Sequence, residues 1–446
     1  MTSPTTARPG VLIAAHSHPE LTRGGAEIAA WQLHSAIAQG GRWQSTFLGC
    51  GGVPRPGPSI GQPMGTGQAG ADQYLYAPGA FDWFTFTNRN ENFAEDFAAL
   101  LTRRHPRVIH FHHYAQFGVE AFAIARRTRP DIRLVLTLHE FQAICNHFGQ
   151  MITRPQRGLC TAASLTACHR CFPERSTVDL FLREHWLKSF FALIDAFVAP
   201  SRFLAERYIA WGLPAARMHV IGNAVAPPAE LAAPRRRSPH FQVGFFGQMS
   251  PLKGIGVLLD AAEDIATEAA PGSGIVINIH GDDSNQPPAF REELAARLAR
   301  SPANVRLHGP YDNARVDALM RGMDVIVMPS VWWENAPVVI EEALRNRIPV
   351  LCSDIGGMAE AVRDGLDGFH FSTGSGPELA ALIRELAAEP QRLASLAQTM
   401  RTPATASDIA ASHVALYETL LGETPPGETS GDDASPPTLS RARRAQ

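Results

Sequence analysis

Two glutamates separated by seven residues, Glu334 and Glu342, and an upstream lysine, Lys253, are the groups in this chain best spaced for chemistry. Residues 324–328 form an apolar run without polar alternation, which reads as a buried parallel strand. Residues 336–347 read as a helix that stops before Pro349. Glu334 then falls in a strand-to-helix loop, and Glu342 lies about two turns into the helix. Asn335 is a suitable N-cap, which would leave the amides of Ala336, Val338 and Val339 facing the crevice of that loop. A helix N-terminus just outside the carboxyl end of a parallel strand favours a phosphate or sugar ligand. An exposed acidic helix face would account for the two glutamates alone, but not for a cation placed to meet them.

That cation is Lys253. Phe241–Phe246 is a second apolar strand, and residues 254–262 open the next helix, so Lys253 stands where its charge and a helix dipole converge on an anion. Of 40 basic residues only Lys188 and Lys253 are lysines, and lysine supplies a compact point charge that a planar guanidinium does not. The succession continues with residues 275–282, 305–309, the Glu334 loop and 349–357, a series of strands and glycine-bearing turns.

Over residues 241–421 this order, with its Lys-Gly turn and its spaced glutamates, resembles glycosyltransferase family 4, retaining enzymes of the GT-B fold. The resemblance implies an α/β chain of two Rossmann-like, doubly wound domains facing a cleft, with a C-terminal helix crossing back. It also implies a nucleotide diphosphate sugar as donor. Lys253 and the amides of Asn335, Ala336, Val338 and Val339 would meet the diphosphate in place of a divalent metal. Glu342 would hold ribose hydroxyls, and Glu334 the hydroxyls of the sugar. The family usually carries an arginine after the glycine of its first C-domain strand, where this chain has the uncharged Gln248. Diphosphate neutralisation should therefore lean more heavily on Lys253.

The first half carries a weaker signal of the same kind. The strand at 11–15 leads to Arg23-Gly24-Gly25-Ala26-Glu27 before a helix at 28–38, and Gly24 and Gly25 let backbone approach a ligand closely. Strands at 108–113 and 134–140 end in histidines. His139-Glu140 resembles the family's His-Asp pair, which implies that His139 faces the transferred sugar; His112 and His113 are further candidates at a strand end.

Length and composition fit this layout. A chain of 446 residues exceeds one ordinary core, and alternating strands and helices imply parallel sheets. The expected divisions are an acceptor-side domain at 1–222, a linker at 223–240, a donor domain at 241–406, a crossing helix at 407–421 and a disordered tail at 422–446. Residues 51–71, rich in glycine and proline, read as a flexible insertion at the first domain's rim. No run reaches the ~18 apolar residues of a spanning helix and no secretory leader is evident, so a cytoplasmic location is expected. The net charge of −3 divides into +6 over residues 1–222 and −9 over the rest. With the aromatic stretch 180–194, a basic first domain could sit peripherally on an anionic membrane to reach a lipid-linked acceptor; a buried helix beneath surface arginines is the plainer reading. Aromatics are not interleaved with basic runs, so nothing in the sequence suggests a nucleic-acid partner.

Four of six cysteines, Cys145, Cys160, Cys168 and Cys171, fall within 27 residues, the last two as Cys-x-x-Cys. In a reducing compartment that pattern suits a structural zinc stapling an irregular segment from 146 to 173, while free thiols or disulfides also satisfy it. No cofactor is required for catalysis on this reading. The expected activity is transfer of a hexose-type sugar to a glycan or lipid-linked acceptor in cell-surface polysaccharide synthesis. A GT-B nucleotide-sugar epimerase and a non-catalytic nucleotide-sugar-binding relative are the alternatives.

Overall fold

The computed structural model describes residues 8–22, 24–51, 58–61, 72–154, 156–223, 238–268 and 274–422. Arg23, most of the glycine-rich 51–71 segment, the linker residues 224–237 and the tail 423–446 lie outside the described residues.

The first domain is built on an eight-stranded sheet. Its strands are β1 (Gly10–Ala15), β2 (Gln44–Cys50), β3 (Ile60–Gly61), β4 (Gln73–Tyr76), and, after the small hairpin β5 (Phe81–Asp82) and β6 (Thr87–Asn88), β7 (Val108–Phe111), β8 (Arg133–Thr137), β9 (Ala196–Ala199) and β10 (Met218–Val220). The order across the sheet is β10-β9-β8-β7-β1-β2-β4-β3, parallel throughout except for the β3–β4 pair. The second domain holds β11 (Phe241–Phe246), β12 (Ile275–His280), β13 (Val305–Gly309), β14 (Val325–Met328), β15 (Val350–Ser353) and β16 (Gly368–Phe371), in the order β13-β12-β11-β14-β15-β16, all parallel. Each sheet is packed on both faces. In the second domain Val243, Val325, Val327 and Leu351 join one core, and Ile326, Val350 and Cys352 the other. Strands buried on both sides lack polar alternation for this reason.

Both sheets reverse their winding direction at the centre. β1 lies between β7 and β2, and β11 between β14 and β12. A reversal opens a crevice outside the carboxyl ends of the central strands, because the two connections leave on opposite sides. The loops after β1, β7 and β8 carry His16, His113 and His139; those after β11 and β14 carry Gln248, Lys253 and Glu334. The sheet topology thus selects which loops form the site.

The last helix, Ala406–Leu420, starts in a Thr405–Asp408 capping box. It buries Ala410, Val414, Leu416 and Tyr417 in the first domain's core with Leu33, Ile37 and Trp43. Its Tyr417 hydroxyl lies 2.6 Å from His110 Nδ1, and Glu418 pairs with Arg42 at 2.6 Å. This helix thus returns from the second domain to the first.

Local structure departs from the sequence reading at three places. The helix read at 336–347 is Val338–Arg345, with Pro337 rather than Asn335 at the N-cap and no side-chain cap. Proline's fixed φ suits the turn into the helix, which releases Asn335 for other contacts. The segment 146–173 is not wholly irregular, since Leu165–Cys171 is a helix capped by Ser164. Most of the aromatic stretch at 180–194 belongs to the helix Thr177–Phe191, whose Leu180, Leu187 and Phe191 are buried; the large apolar side chains it exposes, Val178, Phe181 and Leu182, lie in its first half.

Candidate active site

The site begins with a steric contact. Gly254 ends the loop after β11 at φ +72°, and a Cβ there would stand 1.8 Å from the Pro329 carbonyl oxygen. Only glycine lets the two loops touch, and that contact sets Lys253 beside Glu334. Lys253 Nζ lies 2.7 Å from Glu334 Oε1, and the same oxygen accepts from Ser330 Oγ and Trp332 Nε1, each at 2.8 Å. Burial alone would push the Glu334 carboxyl up, but the Lys253 charge and these donors together hold it below the usual range. The backbone of the loop is held from below, where the Gly357 amide donates to the Glu334 carbonyl at 2.8 Å.

The first domain supplies the facing wall. His139 and Glu140 line an interdomain cleft of about 430 Å³ together with Gly24, Gly25, Glu334, Asn335, Ala336 and Val338. Burial and the neighbouring histidines pull His139 down to about 3, so it works as a neutral imidazole. Its Nε2 is 3.0 Å from His112 Nδ1, which fixes the ring. His113 lies 3.2 Å from Glu140 Oε1, and His16 3.0 Å from Glu27 Oε1. Asn335 spans the two domains: its Oδ1 accepts from Ser201 Oγ at 2.6 Å, and its Nδ2 donates to the His139 carbonyl at 2.9 Å. In this closed arrangement the Asn335 side chain is a clamp between domains.

Gln248 and Lys253 face a second chamber, of about 730 Å³, that shares Trp332 with the cleft. Its opposite wall is the cysteine-bearing segment, including Ile152, Arg154 and Arg157. Val339 packs against the second domain's core, and Glu342 lines neither chamber. The sequence reading therefore did not anticipate His16, Glu27, Trp332, Arg154 and Arg157. His16 and Glu27 flank the Gly24-Gly25 loop, which was a usable signal; the arginines reach the chamber only through the tertiary path of their segment. That segment brings Arg157 to the chamber that Gln248 lines, together with Arg154, whose charge is paired with Glu174 at 2.7 Å. Gln248→Arg should nevertheless tighten nucleoside diphosphate binding by up to about tenfold, one extra charge-assisted contact. Titration calorimetry reads this; an unchanged or weaker Kd shows that the opposing arginines already suffice.

Glu342 sits beside Arg345, whose Nη2 is 4.0 Å away. Burial pushes its carboxyl up to about 7, with Arg345 opposing and Asp317 reinforcing. The folded value lies above the unfolded one, so the native state keeps an extra proton between about pH 4.5 and 7, and stability falls as pH rises through that window. Glu342→Gln should accordingly be stabilising near pH 8 and close to neutral near pH 5. Thermal melts of both proteins across this range check it, and a difference independent of pH refutes it.

The four cysteines are free thiols that line one small cavity under the same segment. Among the described residues no three His, Cys, Asp or Glu side chains stand in metal-ligand geometry.

Two parallel switch-point crevices face to face, with a lysine–glutamate pair between them, define the architecture of a GT-B glycosyltransferase. Residues 23–227 match the family described as Glycosyltransferase Family 4, and residues 240–389 match Glycosyl transferases group 1, so each of the two domains carries its own glycosyltransferase family match. Relatives include the D-inositol 3-phosphate glycosyltransferases of Rhodococcus erythropolis, 33% identical over 35% of this chain and 35% of the relative, and of Thermobispora bispora, 28% identical over 65% of this chain and 64% of the relative. The chain aligns with about a third of the length of the first of these. Among solved structures, Anabaena HepE in complex with UDP-glucose superposes with a TM-score of 0.58 at 18% identity, covering 93% of this chain and 98% of that one. Sucrose-phosphate synthase from Thermosynechococcus elongatus superposes at 0.65 and 18% identity, covering 93% and 99%. These likenesses show the fold.

Proposed function

We propose that this protein transfers a hexose-type sugar, with retention of anomeric configuration, from a nucleotide diphosphate sugar to a glycan or lipid-linked acceptor in cell-surface polysaccharide synthesis. The observation that carries the reading is the Lys253–Glu334 pair, set between the two chambers and opposite a neutral His139. As the bond to the sugar breaks, negative charge collects on the departing diphosphate and the sugar becomes oxocarbenium-like. Lys253 is the cation within reach of that charge on the second domain, and the uncapped first turn of Val338–Arg345 adds amide donors. When the diphosphate draws Lys253 away, Ser330 and Trp332 still hold Glu334, which leaves its free oxygen for sugar hydroxyls. A neutral His139 donates or accepts a single proton-sharing bond without placing positive charge beside the developing cation. Glu342 is the group proposed to hold the ribose.

HepE and the sucrose-phosphate synthase superpose over nearly their whole length, and HepE is seen with UDP-glucose, which supports a nucleotide-sugar donor here. A panel of nucleotide sugars in a thermal-shift screen tests the donor, since a ligand at about 100 Kd stabilises by ~2.7 kcal/mol. Incubation of the selected donor with candidate acceptors, read by NMR of the anomeric proton, tests transfer and retention. Release of free sugar or an epimer without any acceptor, or binding without turnover, would favour the epimerase or the non-catalytic reading.

A lipid-linked acceptor is supported by the exposed Val178, Phe181 and Leu182 on the first domain, which bears the net positive charge. No helix among the described residues is long and apolar enough to cross a membrane. Flotation with anionic vesicles should retain the protein, and Phe181→Ser/Leu182→Ser should release it; equal flotation of the two proteins removes the peripheral contact.

A further inference from the structure

Phe148 is a side chain that folding stability does not explain. Residues 146–149 turn tightly over the loop that follows β8, with Phe148 at φ +49° and Gly149 at φ +70°. A Cβ on Gly149 would stand 2.7 Å from Glu140 Oε2 and 2.8 Å from the Gln142 amide nitrogen, so the turn lies hard against that loop. A bulky residue in the left-handed region carries strain, and this ring recovers none of it by packing. It is 80% exposed, more than any other large apolar side chain among the described residues.

The ring borders two spaces. One is the cleft of His139 and Glu334; the other is a chamber of about 710 Å³ within the first domain, and Gln142 and Phe148 line both. Another wall of the chamber is the β5–β6 hairpin, whose Trp83 is 54% exposed. Asp82 ties the hairpin turn by accepting from the Phe84 amide at 2.9 Å. From the helix Thr177–Phe191, Arg183 donates to the Phe84 carbonyl at 2.7 Å and Trp186 to the Thr85 carbonyl at 3.1 Å. Trp83 is thus presented on a fixed turn.

Charge in the chamber is one-sided, with Arg154, Arg175 and Arg183 against the single carboxylate of Glu174. Arg154, on the strap between Cys145 and Cys160, takes that carboxylate at 2.7 Å. Arg183 is 5% exposed and donates to carbonyls, those of Phe84, Ala143 at 2.8 Å and Gln142 at 2.5 Å. Arg175 lies over the Phe84 ring at 4.2 Å and forms no ion pair among the described residues. Its other acidic neighbour, Asp179, is held by the Ser176 hydroxyl at 2.8 Å.

We infer that this chamber is a subsite for an acidic saccharide, with Phe148 and Trp83 stacking on sugar rings and Arg175 binding a carboxylate or phosphate that the saccharide carries. It rests on the transfer reading for one point, that this saccharide is the acceptor. A pyranose has an apolar C–H face for an aromatic ring and a rim of hydroxyls for Asn146 and His147, which also line the chamber. An acyl chain would strip water from the arginines and give them no hydrogen bond in return. The volume is in the range of small-molecule sites. Since Phe148 also borders the cleft, the ring stacked on it is the one that meets the donor sugar.

Calorimetric titration of the full chain with three probes tests this: neutral maltotriose, maltotriose 1-phosphate and trigalacturonate. At least one acidic probe should bind about tenfold more tightly than maltotriose, the effect of one charge-assisted contact, and the one that does so identifies the kind of acid. Arg175→Ala should erase that advantage and leave maltotriose binding unchanged. Phe148→Ala should weaken every probe about fivefold, and Phe148→Tyr should restore it. Both side chains are exposed, so the variants should melt like the wild type. Equal binding of neutral and acidic probes, no binding of any, or an acidic preference that survives Arg175→Ala overturns the subsite. So does dodecyl phosphate, which has no sugar face, if it binds as tightly as the acidic trisaccharides. These titrations contain no donor, so the two readings fail separately. An acidic saccharide that is bound but never glycosylated removes the transfer reading alone, whereas transfer with an unchanged acceptor KM in Arg175→Ala removes the subsite alone.

Discussion

Lys253→Ala should lower turnover at least a hundredfold with the donor that the screen selects, while donor binding weakens less. A group that stabilises leaving-group charge acts mainly in the transition state, and removing one preorganised donor of that kind costs about 3 kcal/mol of barrier. The structure adds a complication that can be measured. Lys253 also neutralises Glu334, which is 6% exposed, so the variant leaves a buried carboxylate held by Ser330 and Trp332 alone. Removing one partner of a fully buried pair costs ~3–5 kcal/mol; the Lys253 side chain is 30% exposed, so the loss here should be smaller. Adding Glu334→Gln to Lys253→Ala should recover stability and no activity. Recovery of turnover in the double variant, or near-wild-type rates in the single one, would mean that the diphosphate binds elsewhere.

Gly254→Ala is expected to be among the most damaging single-methyl substitutions in the site. The added Cβ would lie 1.8 Å from the Pro329 carbonyl oxygen and 2.6 Å from its carbon. Backbone atoms at the end of β14 have nowhere to go, so the loops of Lys253 and Glu334 must part. Gly365 provides the control: its φ is also +72°, but nothing lies within 4 Å of its Cβ position. Gly365→Ala should cost only the left-handed strain of about 1–2 kcal/mol. Gly254→Ala should cost about 3 kcal/mol or more and also abolish donor binding, because the Lys253–Glu334 pair depends on that contact. Equal losses of thermal stability in the two variants would show that strain, not the clash, governs this turn.

The sequence by itself determined much of the second domain. β11 and β14 were legible because strands covered on both faces carry unbroken apolar runs. The Lys253–Glu334 pair was legible because both fall at fixed distances from those runs, whereas Glu342 lines neither chamber. The crossing helix was expected from the family resemblance, and its capping box at Thr405–Asp408 marks the start. Asn335 was read one role wrong: a side chain suited to capping a helix reaches a partner domain instead, since Pro337 already shapes the turn. Local pattern cannot report a partner 134 residues away.

What only the tertiary structure decided is how charge is shared across the cleft. Two sheets reversing at their centres aim loops from distant parts of the chain at one space. His16, Glu27 and His113 thereby join His139, and the arginines of the cysteine strap come to face Gln248. The sequence supplied four cysteines at uneven spacing and one arginine among 38; their meeting at a single cavity is set by packing, because burial of Arg183 depends on helix Thr177–Phe191 docking against the loops of Phe84 and Ala143. Periodicity records which face of an element is buried. It carries no information on which other element covers it, and the chemistry of this site lies in that second choice.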